Sequence, residues 1–140
     1  MKAINTSVLF LLLASLYAER GYAQHSLVGK WELVYAEGGM HSKEFSYTFP
    51  KSSGSWLIML EDGSYQGKHD STGIVSEGTW MVIEPNTLKL NLISVNGVVD
   101  TVRNHITNTR KGHKFKLEGD TLVITTTIRD SYTINKYMKR

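Results

Sequence analysis

The sequence predicts an all-β protein, a single antiparallel up-and-down β-barrel of about 8–10 strands. Apolar residues alternate with polar ones through most of the chain, and no stretch beyond residues 1–23 shows a helical period. Turn-forming residues return at intervals of roughly ten residues, as they do in sandwiches and barrels. Because sequential hairpins leave a first and a last edge strand, pairing these two edges would close the sheet into a barrel.

The alternation gives each predicted strand one buried face. In the first strand Trp31, Leu33 and Tyr35 fall on one face, and near the C-terminus Phe115 and Leu117 lie between charged residues. The same pattern occurs at Trp80–Val82, Leu88–Leu92, Leu122–Ile128 and Tyr132–Ile134. The inward residues predicted in this way are Trp31, Trp80, Leu90, Phe115, Leu122 and Ile124.

Turn signals separate these strands. Asn96-Gly97 and Glu118–Thr121 each join two alternating runs, and both contain residues that tolerate a positive φ. Further turns are predicted at Asp62-Gly63, Glu84–Thr87 and Arg129-Asp130. The segment Gly38–Ser55 is rich in Gly and Ser, which predicts a long loop with one irregular strand near Phe45–Phe49.

Residues 1–23 have the composition of a secretory signal peptide. Lys2 gives a positive start, Val8–Ala14 is apolar, and Gly21-Tyr22-Ala23 ends in the small residues that precede a cleavage site. The apolar run is too short for a membrane span. The sequence therefore predicts a signal peptide over residues 1–23, a barrel domain over residues 24–140, and a periplasmic or extracellular location. The chain contains no cysteine, which favours a bacterial exported protein over a disulfide-bonded animal one.

Charge and histidine spacing argue against several functions. The formal charge is +3, or +2 after loss of Lys2, Arg20 and Glu19, which is too small to indicate a nucleic-acid partner. The histidines are His25, His41, His69, His105 and His113. None has the spacing of a local metal site, so we expect no metal and no cofactor, with only a site assembled from distant strands left open.

No set of residues resembles an active site. His69-Asp70-Ser71 brings the triad residue types together in one loop, but triads are assembled across a fold rather than from neighbours. Ser76 lacks the Gly-x-Ser-x-Gly spacing of a nucleophile elbow. The carboxylates at Glu61-Asp62 and Glu118–Asp120 occupy turns, where Asp is favoured for conformational reasons. The sequence therefore predicts a protein that is not an enzyme.

The segment between Asp100 and Glu118 is basic and has no acidic residue of its own. Its positive residues are Arg103, Arg110, Lys111, Lys114 and Lys116. One interpretation is an anion-attracting rim at the barrel mouth, and the favoured one is a solvated hairpin whose charges discourage sheet-to-sheet pairing.

Four segments carry a resemblance to a known family. Val28–Leu33 contains Gly-x-Trp and resembles the opening strand of lipocalins and their calycin relatives. Glu77–Val82 resembles the Gly-Thr-Tyr strand of small bacterial lipocalin-like domains, including the DUF4488 group. Phe115–Ile124 and Ile134–Arg140 resemble that group's penultimate hairpin and last strand.

This resemblance implies roles for several residues. Gly29 would let the chain begin the first strand, and Trp31 would close one end of the barrel beneath a cation from the last strand. Lys136, Lys139 and Arg140 are the candidates for that cation. Trp80 is assigned a structural role in the Gly-Thr-Tyr-like strand.

The expected function is non-enzymatic binding of a small apolar or amphipathic molecule, if the barrel is open at one end. Tyr35 lies two alternate positions beyond Trp31, about 13 Å toward the other end. The predicted ligand-binding residues are Tyr35, Trp56, Ile58, Tyr65, Leu92, Arg103 and Arg110. If side chains fill the barrel, the alternative is a protein-binding barrel such as a protease inhibitor or envelope scaffold, with Gly38–Ser55 as the contact segment.

Overall fold

Nine antiparallel strands form one continuous sheet in the computed structural model, which describes residues 15, 21–42, 45–49, 54–69, 72–102, 104 and 112–140. The strands are β1 (Gly29–Met40), β2 (Phe45–Phe49), β3 (Trp56–Met59), β4 (Ser64–His69), β5 (Ile74–Glu84), β6 (Thr87–Val95), β7 (His113–Glu118), β8 (Thr121–Ile128) and β9 (Ser131–Lys139). Residues 21–27 are helical and lead into β1.

The long first strand closes the barrel. One edge of β1 pairs with β9 from Trp31 to Gly39. Its other edge is shared, since Gly29–Glu32 pairs with β3 and Ala36–Met40 pairs with β2. Eight strands therefore form a closed up-and-down barrel, and β2 flanks it as a ninth. This confirms the predicted fold class.

The segment between β1 and β3 departs in part from the predicted loop. Gly38–Met40 belongs to β1 and pairs in an antiparallel hairpin with Phe45–Phe49, so the strand predicted near those residues is confirmed. The loop predicted from Gly38 onward is wrong at its start, because the two glycines extend the strand instead of ending it. Residues 43–44 and 50–53 lie outside the described part of the chain.

A compact apolar cluster fills one end of the barrel. The residues predicted to face inward all belong to this cluster or pack against it, which confirms that prediction. The fully buried members are Leu27, Trp31, Met59, Leu88 and Leu122. Both buried tryptophans donate hydrogen bonds to backbone carbonyls, from Trp31 Nε1 to Leu27 at 2.8 Å and from Trp80 Nε1 to Leu60 at 3.0 Å. These bonds satisfy the indole N–H groups that burial removes from water.

The cation over Trp31 is Lys139. Its Nζ lies 5.3 Å from the centre of the Trp31 ring and 3.4 Å from the Ser26 carbonyl oxygen. A Cβ at Gly29, which has a φ of 136°, would lie 3.0 Å from Lys139 Cε, so a larger residue there would crowd the lysine. Lys136 lies over the ring of Tyr35 instead, and Arg140 forms an ion pair with Glu32.

The weakest seam of the barrel lies between β6 and β7. Among the described residues, these strands pair where Thr87 faces Lys114 and Leu88 faces His113, the position at which β7 begins. In contrast, β1 and β9 are paired through most of their length.

Several predictions fall outside the described residues. Arg103, Arg110 and most of the predicted signal peptide are among them. Within the described part of the chain, no helix combines the length and apolar character needed to cross a membrane.

Candidate functional site

The half of the barrel away from Trp31 contains a cavity of about 520 Å³. Each of the eight barrel strands contributes to its wall, so the cavity is the barrel interior itself. Its lining residues include Leu33, Ala36, Leu57, Tyr65, Ser76, Leu90, His113, Ile124, Thr126, Asn135 and Tyr137. Of the two alternatives that the sequence left open, a barrel packed solid by its own side chains is therefore wrong.

The inner part of this cavity is apolar. Leu57 and Ile124 belong to the core cluster and also line the cavity, so the core forms the cavity's floor. Leu33 and Leu90 extend that apolar surface along β1 and β6. A ligand's hydrocarbon body would lose contact with water against this surface.

Tyr65 brings a phenol into the cavity from β4. It pairs with Gly78 of β5, where a Cβ would lie 2.7 Å from Tyr65 Cε1 and 1.9 Å from the Asn91 carbonyl oxygen, so this position requires glycine. Burial raises the pKa of Tyr65, and a hydrogen bond with Ser76 opposes that shift. The hydroxyl therefore stays protonated at neutral pH and can donate a hydrogen bond.

His113 enters the same cavity at the start of β7. Its Nδ1 lies 2.8 Å from Thr126 Oγ1 on β8, which fixes the orientation of the half-buried imidazole ring. Sequence reasoning missed this residue, because it considered His113 only as a possible metal ligand. The signal was present, because extending the alternation of Leu117 and Phe115 by two residues reaches His113.

Asn135 and Tyr137 add polar groups from β9. Burial raises the pKa of Tyr137 to about 12, so this phenol is neutral at physiological pH. The cavity thus combines an apolar floor with a few neutral hydrogen-bonding groups, the composition typical of small-molecule sites.

A second cavity of about 200 Å³ adjoins the first beside β6 and the start of β7. Both cavities share Tyr65, Ser76, Leu90 and His113. The smaller one is completed by Lys89, Leu92 and Gly112. His113 and Tyr65 therefore lie where the two cavities meet.

The predicted ligand-binding residues divide into three groups. Tyr65 and Trp56 line the main cavity, and Leu92 lines the smaller one. Tyr35 and Ile58 line neither. Arg103 and Arg110 lie outside the described residues.

The inward placement of Tyr35 is wrong because β1 contains a bulge. The register with β9 shifts between Leu33 and Tyr35, so Ala36 takes the inward position. Tyr35 lies outside the barrel beneath Lys136 and donates a hydrogen bond to Glu37, which raises the pKa of Tyr35.

The inward placement of Ile58 is also wrong. Leu57 and Met59 are the buried residues of β3, and Leu57 pairs with Trp31. Ile58 lies between them and faces the other side. All four residues of β3 are apolar, so alternation alone does not determine which pair is buried.

The described part of the chain holds no group of three or more His, Cys, Asp or Glu residues that could bind a metal ion.

No protein-family model matches the sequence, and no curated protein matches it. Among solved structures, the chain is similar to a DUF4847 family protein from Bacteroides vulgatus ATCC 8482, with 15% sequence identity and a TM-score of 0.47. The similarity covers 81% of this chain and 94% of that one. The closed barrel is established by its own strand pairings.

Proposed function

We propose that this protein is an exported, non-enzymatic barrel that binds one small amphipathic molecule in its interior cavity. The observation that carries this proposal is the cavity of about 520 Å³ lined by all eight barrel strands. Ligand sites in proteins commonly have volumes of about 300–1,000 Å³ and are mostly apolar with a few placed polar groups. Leu57 and Ile124 supply apolar surface, and Tyr65 and Asn135 supply polar groups, which fits that description.

We further propose that the barrel is of the lipocalin-like (calycin) kind, with the DUF4488 group as the finer assignment. The Gly-x-Trp segment supports this assignment, since Trp31 is buried at one end of the barrel beneath Lys139. The proposed ligand cavity lies in the half of the barrel away from that closed end.

Export is part of the same proposal. Leu27 is fully buried and its carbonyl oxygen accepts the bond from Trp31, so cleavage after Ala23 would leave the residues that seal the core in the mature chain. N-terminal analysis of protein from the native host should find Gln24, or its cyclised form, first. A mature protein that retains Lys2 would contradict export.

The proposed function is tested with a neutral fluorescent probe and a variant that fills the cavity. The protein should bind N-phenylnaphthylamine saturably at one site. Ala36→Trp should abolish this binding because the indole would occupy the cavity, whereas Thr79→Trp, on the exposed face of β5, should leave it unchanged. Circular dichroism establishes that both variants fold. Equal probe binding by Ala36→Trp and the wild type would place the probe elsewhere and overturn the proposal.

A protein-binding barrel is the second candidate, and one observation favours it. Val98, Val99 and Val102 follow β6 with exposed fractions of 66%, 61% and 70%. Exposed apolar residues that lie close together mark protein interaction sites more often than isolated ones do. Replacing all three with Ser should release a co-purifying protein partner under this alternative, and should change nothing if the cavity carries the function.

A further inference from the structure

We propose that the molecule held in the cavity is an amphipathic anion, an apolar body bearing a carboxylate or sulfonate, with its anionic group beside His113 and Tyr65. This inference rests on the proposed function and names the chemical class of its ligand. The sequence suggested Arg103 and Arg110 as the contacts for an anionic group. This inference assigns that contact to residues that line the cavity.

The first argument for an anionic ligand is the charge of the residues that line the cavities. In the main cavity the lining side chains that can become positive are Lys68, His69 and His113, and the smaller cavity adds Lys89. Among the described residues that line the two cavities, none is Asp or Glu. A bound cation would therefore meet no opposite charge from these lining residues, and a charge without a partner is costly in a partly buried site.

The phenols strengthen the preference for an anion. Burial raises the pKa values of Tyr65 and Tyr137, so both remain neutral and act as hydrogen-bond donors at neutral pH. Donors aimed at an oxyanion form charge-assisted bonds, which are stronger than bonds between neutral groups. The cavity thus presents neutral phenol donors together with basic groups.

The position of the anionic group follows from what the two cavities share. His113, Tyr65 and Ser76 line both, and Thr126 fixes the His113 ring at 2.8 Å. An anionic group placed there lies beside polar side chains, while its apolar body lies along Leu57 and Ile124. Lys89 lies on the outer side of the same position and adds positive potential.

Several titratable groups line the cavities together with His113. They are Tyr65, Lys68 and His69 from β4, Lys89 from β6, and Tyr137 from β9. The β8 residues that face it, Ile124 and Thr126, are neutral. Histidine is the side chain whose unperturbed charge changes between about pH 5 and 8, so we expect a lower pH within that range to favour an anionic ligand.

The test compares two probes that share one fused-ring body. Anilinonaphthalenesulfonate carries a sulfonate, and N-phenylnaphthylamine carries no charge, so the ratio of their affinities isolates the effect of the anionic group. The variant His113→Gln keeps a polar partner for Thr126 but cannot become positive. His41→Gln, on the exposed outer surface, is the matched control.

In the wild type the affinity ratio should rise in favour of the sulfonate between pH 8 and pH 6. At pH 6, His113→Gln should lower the ratio about tenfold, the effect of losing one hydrogen bond to a charged group. The sulfonate should lose more affinity than the neutral probe in this variant, and circular dichroism establishes that the variant folds. His41→Gln should bind both probes as the wild type does, and Lys89→Gln should lower the ratio in the same direction as His113→Gln.

Two results overturn the inference and leave the proposed function standing. The first is neutral-probe binding with an affinity ratio that neither pH nor His113→Gln changes. The second is equal weakening of both probes by His113→Gln, which would make the residue structural. If neither probe binds the wild type, the proposed function fails and this inference fails with it.

Discussion

At the scale of single residues, one end of the barrel is specialised for stability and the other for binding. Trp31 is only 1% exposed and is held by the Leu27 carbonyl group and by Lys139. Tyr65 and His113 are also fixed by neighbours, and both line the cavity. The same inward alternation thus produces packed side chains at the Trp31 end of the barrel and a binding surface in the other half.

Trp31→Ala should destabilise the protein by about 3–5 kcal/mol, because it empties the closed end of the barrel. That loss is a large part of the roughly 5–15 kcal/mol that stabilises an ordinary domain. Trp56→Ala is the matched control, and since Trp56 lies outside the core cluster it should cost about 1 kcal/mol. Urea unfolding followed by far-UV circular dichroism measures both, and equal losses would contradict the role assigned to Trp31.

Tyr137 should make the protein sensitive to alkaline pH. Burial raises its pKa from the ordinary value of 10.0 to about 12 in the folded protein. Below pH 10 the phenol is protonated in both states, and between pH 10 and 12 only the unfolded chain ionises, so stability falls across that window.

Tyr137→Phe should remove about 2–3 kcal/mol of that alkaline loss. Unfolding free energies at pH 8, 10 and 12 for both proteins provide the measurement. If the difference between the two proteins stays constant across this range, the phenol of Tyr137 does not ionise differently on folding.

At the scale of strands, the order and number of elements could be predicted from the sequence more accurately than the face of the sheet to which each side chain points. Period-two alternation located the strands, and Asn96-Gly97 located a turn, since both residues have positive φ. The strand predicted after that turn, over Val98–Val102, is wrong, because only an isolated bridge joins Val95 to Val98 and residues 101–102 are helical. The bulge between Leu33 and Tyr35 was invisible because it arises from pairing with β9, and no local residue signals it.

Other parts of the candidate site could not be predicted for a related reason. In β3 every residue is apolar, and only the pairing of Leu57 with Trp31 decides which face is buried. The contact between His113 and Thr126 differs, because it follows from the hairpin register that pairs Glu118 with Thr121 across a turn that the sequence predicted. Long-range pairing thus decides which face of β3 is buried, whereas the hairpin contact was within reach of the sequence.

The seam between β6 and β7 should open before any other part of the barrel wall. Among the described residues, its pairing joins Thr87 with Lys114 and Leu88 with His113, whereas β1 and β9 are paired from Trp31 to Gly39. Few shared hydrogen bonds give low local protection. Amide hydrogen exchange should therefore be faster in β7 than in β1 and β9, and equal protection would show that the seam is not a weak point.

At the scale of the whole molecule, closure of the sheet and the cavity are two consequences of one arrangement. The pairing of β1 with β9 removes the sheet's free edges, and eight strands enclose a space that side chains fill only at the Trp31 end. The remaining volume of about 520 Å³ is the basis for the proposed binding function.

The most direct test of that claim is native mass spectrometry of the protein purified gently from its own host. The wild type should carry one small molecule per chain, and Ala36→Trp, which fills the cavity, should carry none, while Thr79→Trp should retain it. The proposed amphipathic anion should then be identified in the released fraction. Bare protein in the wild type, or the same bound mass in Ala36→Trp as in the wild type, would contradict a ligand site inside the barrel.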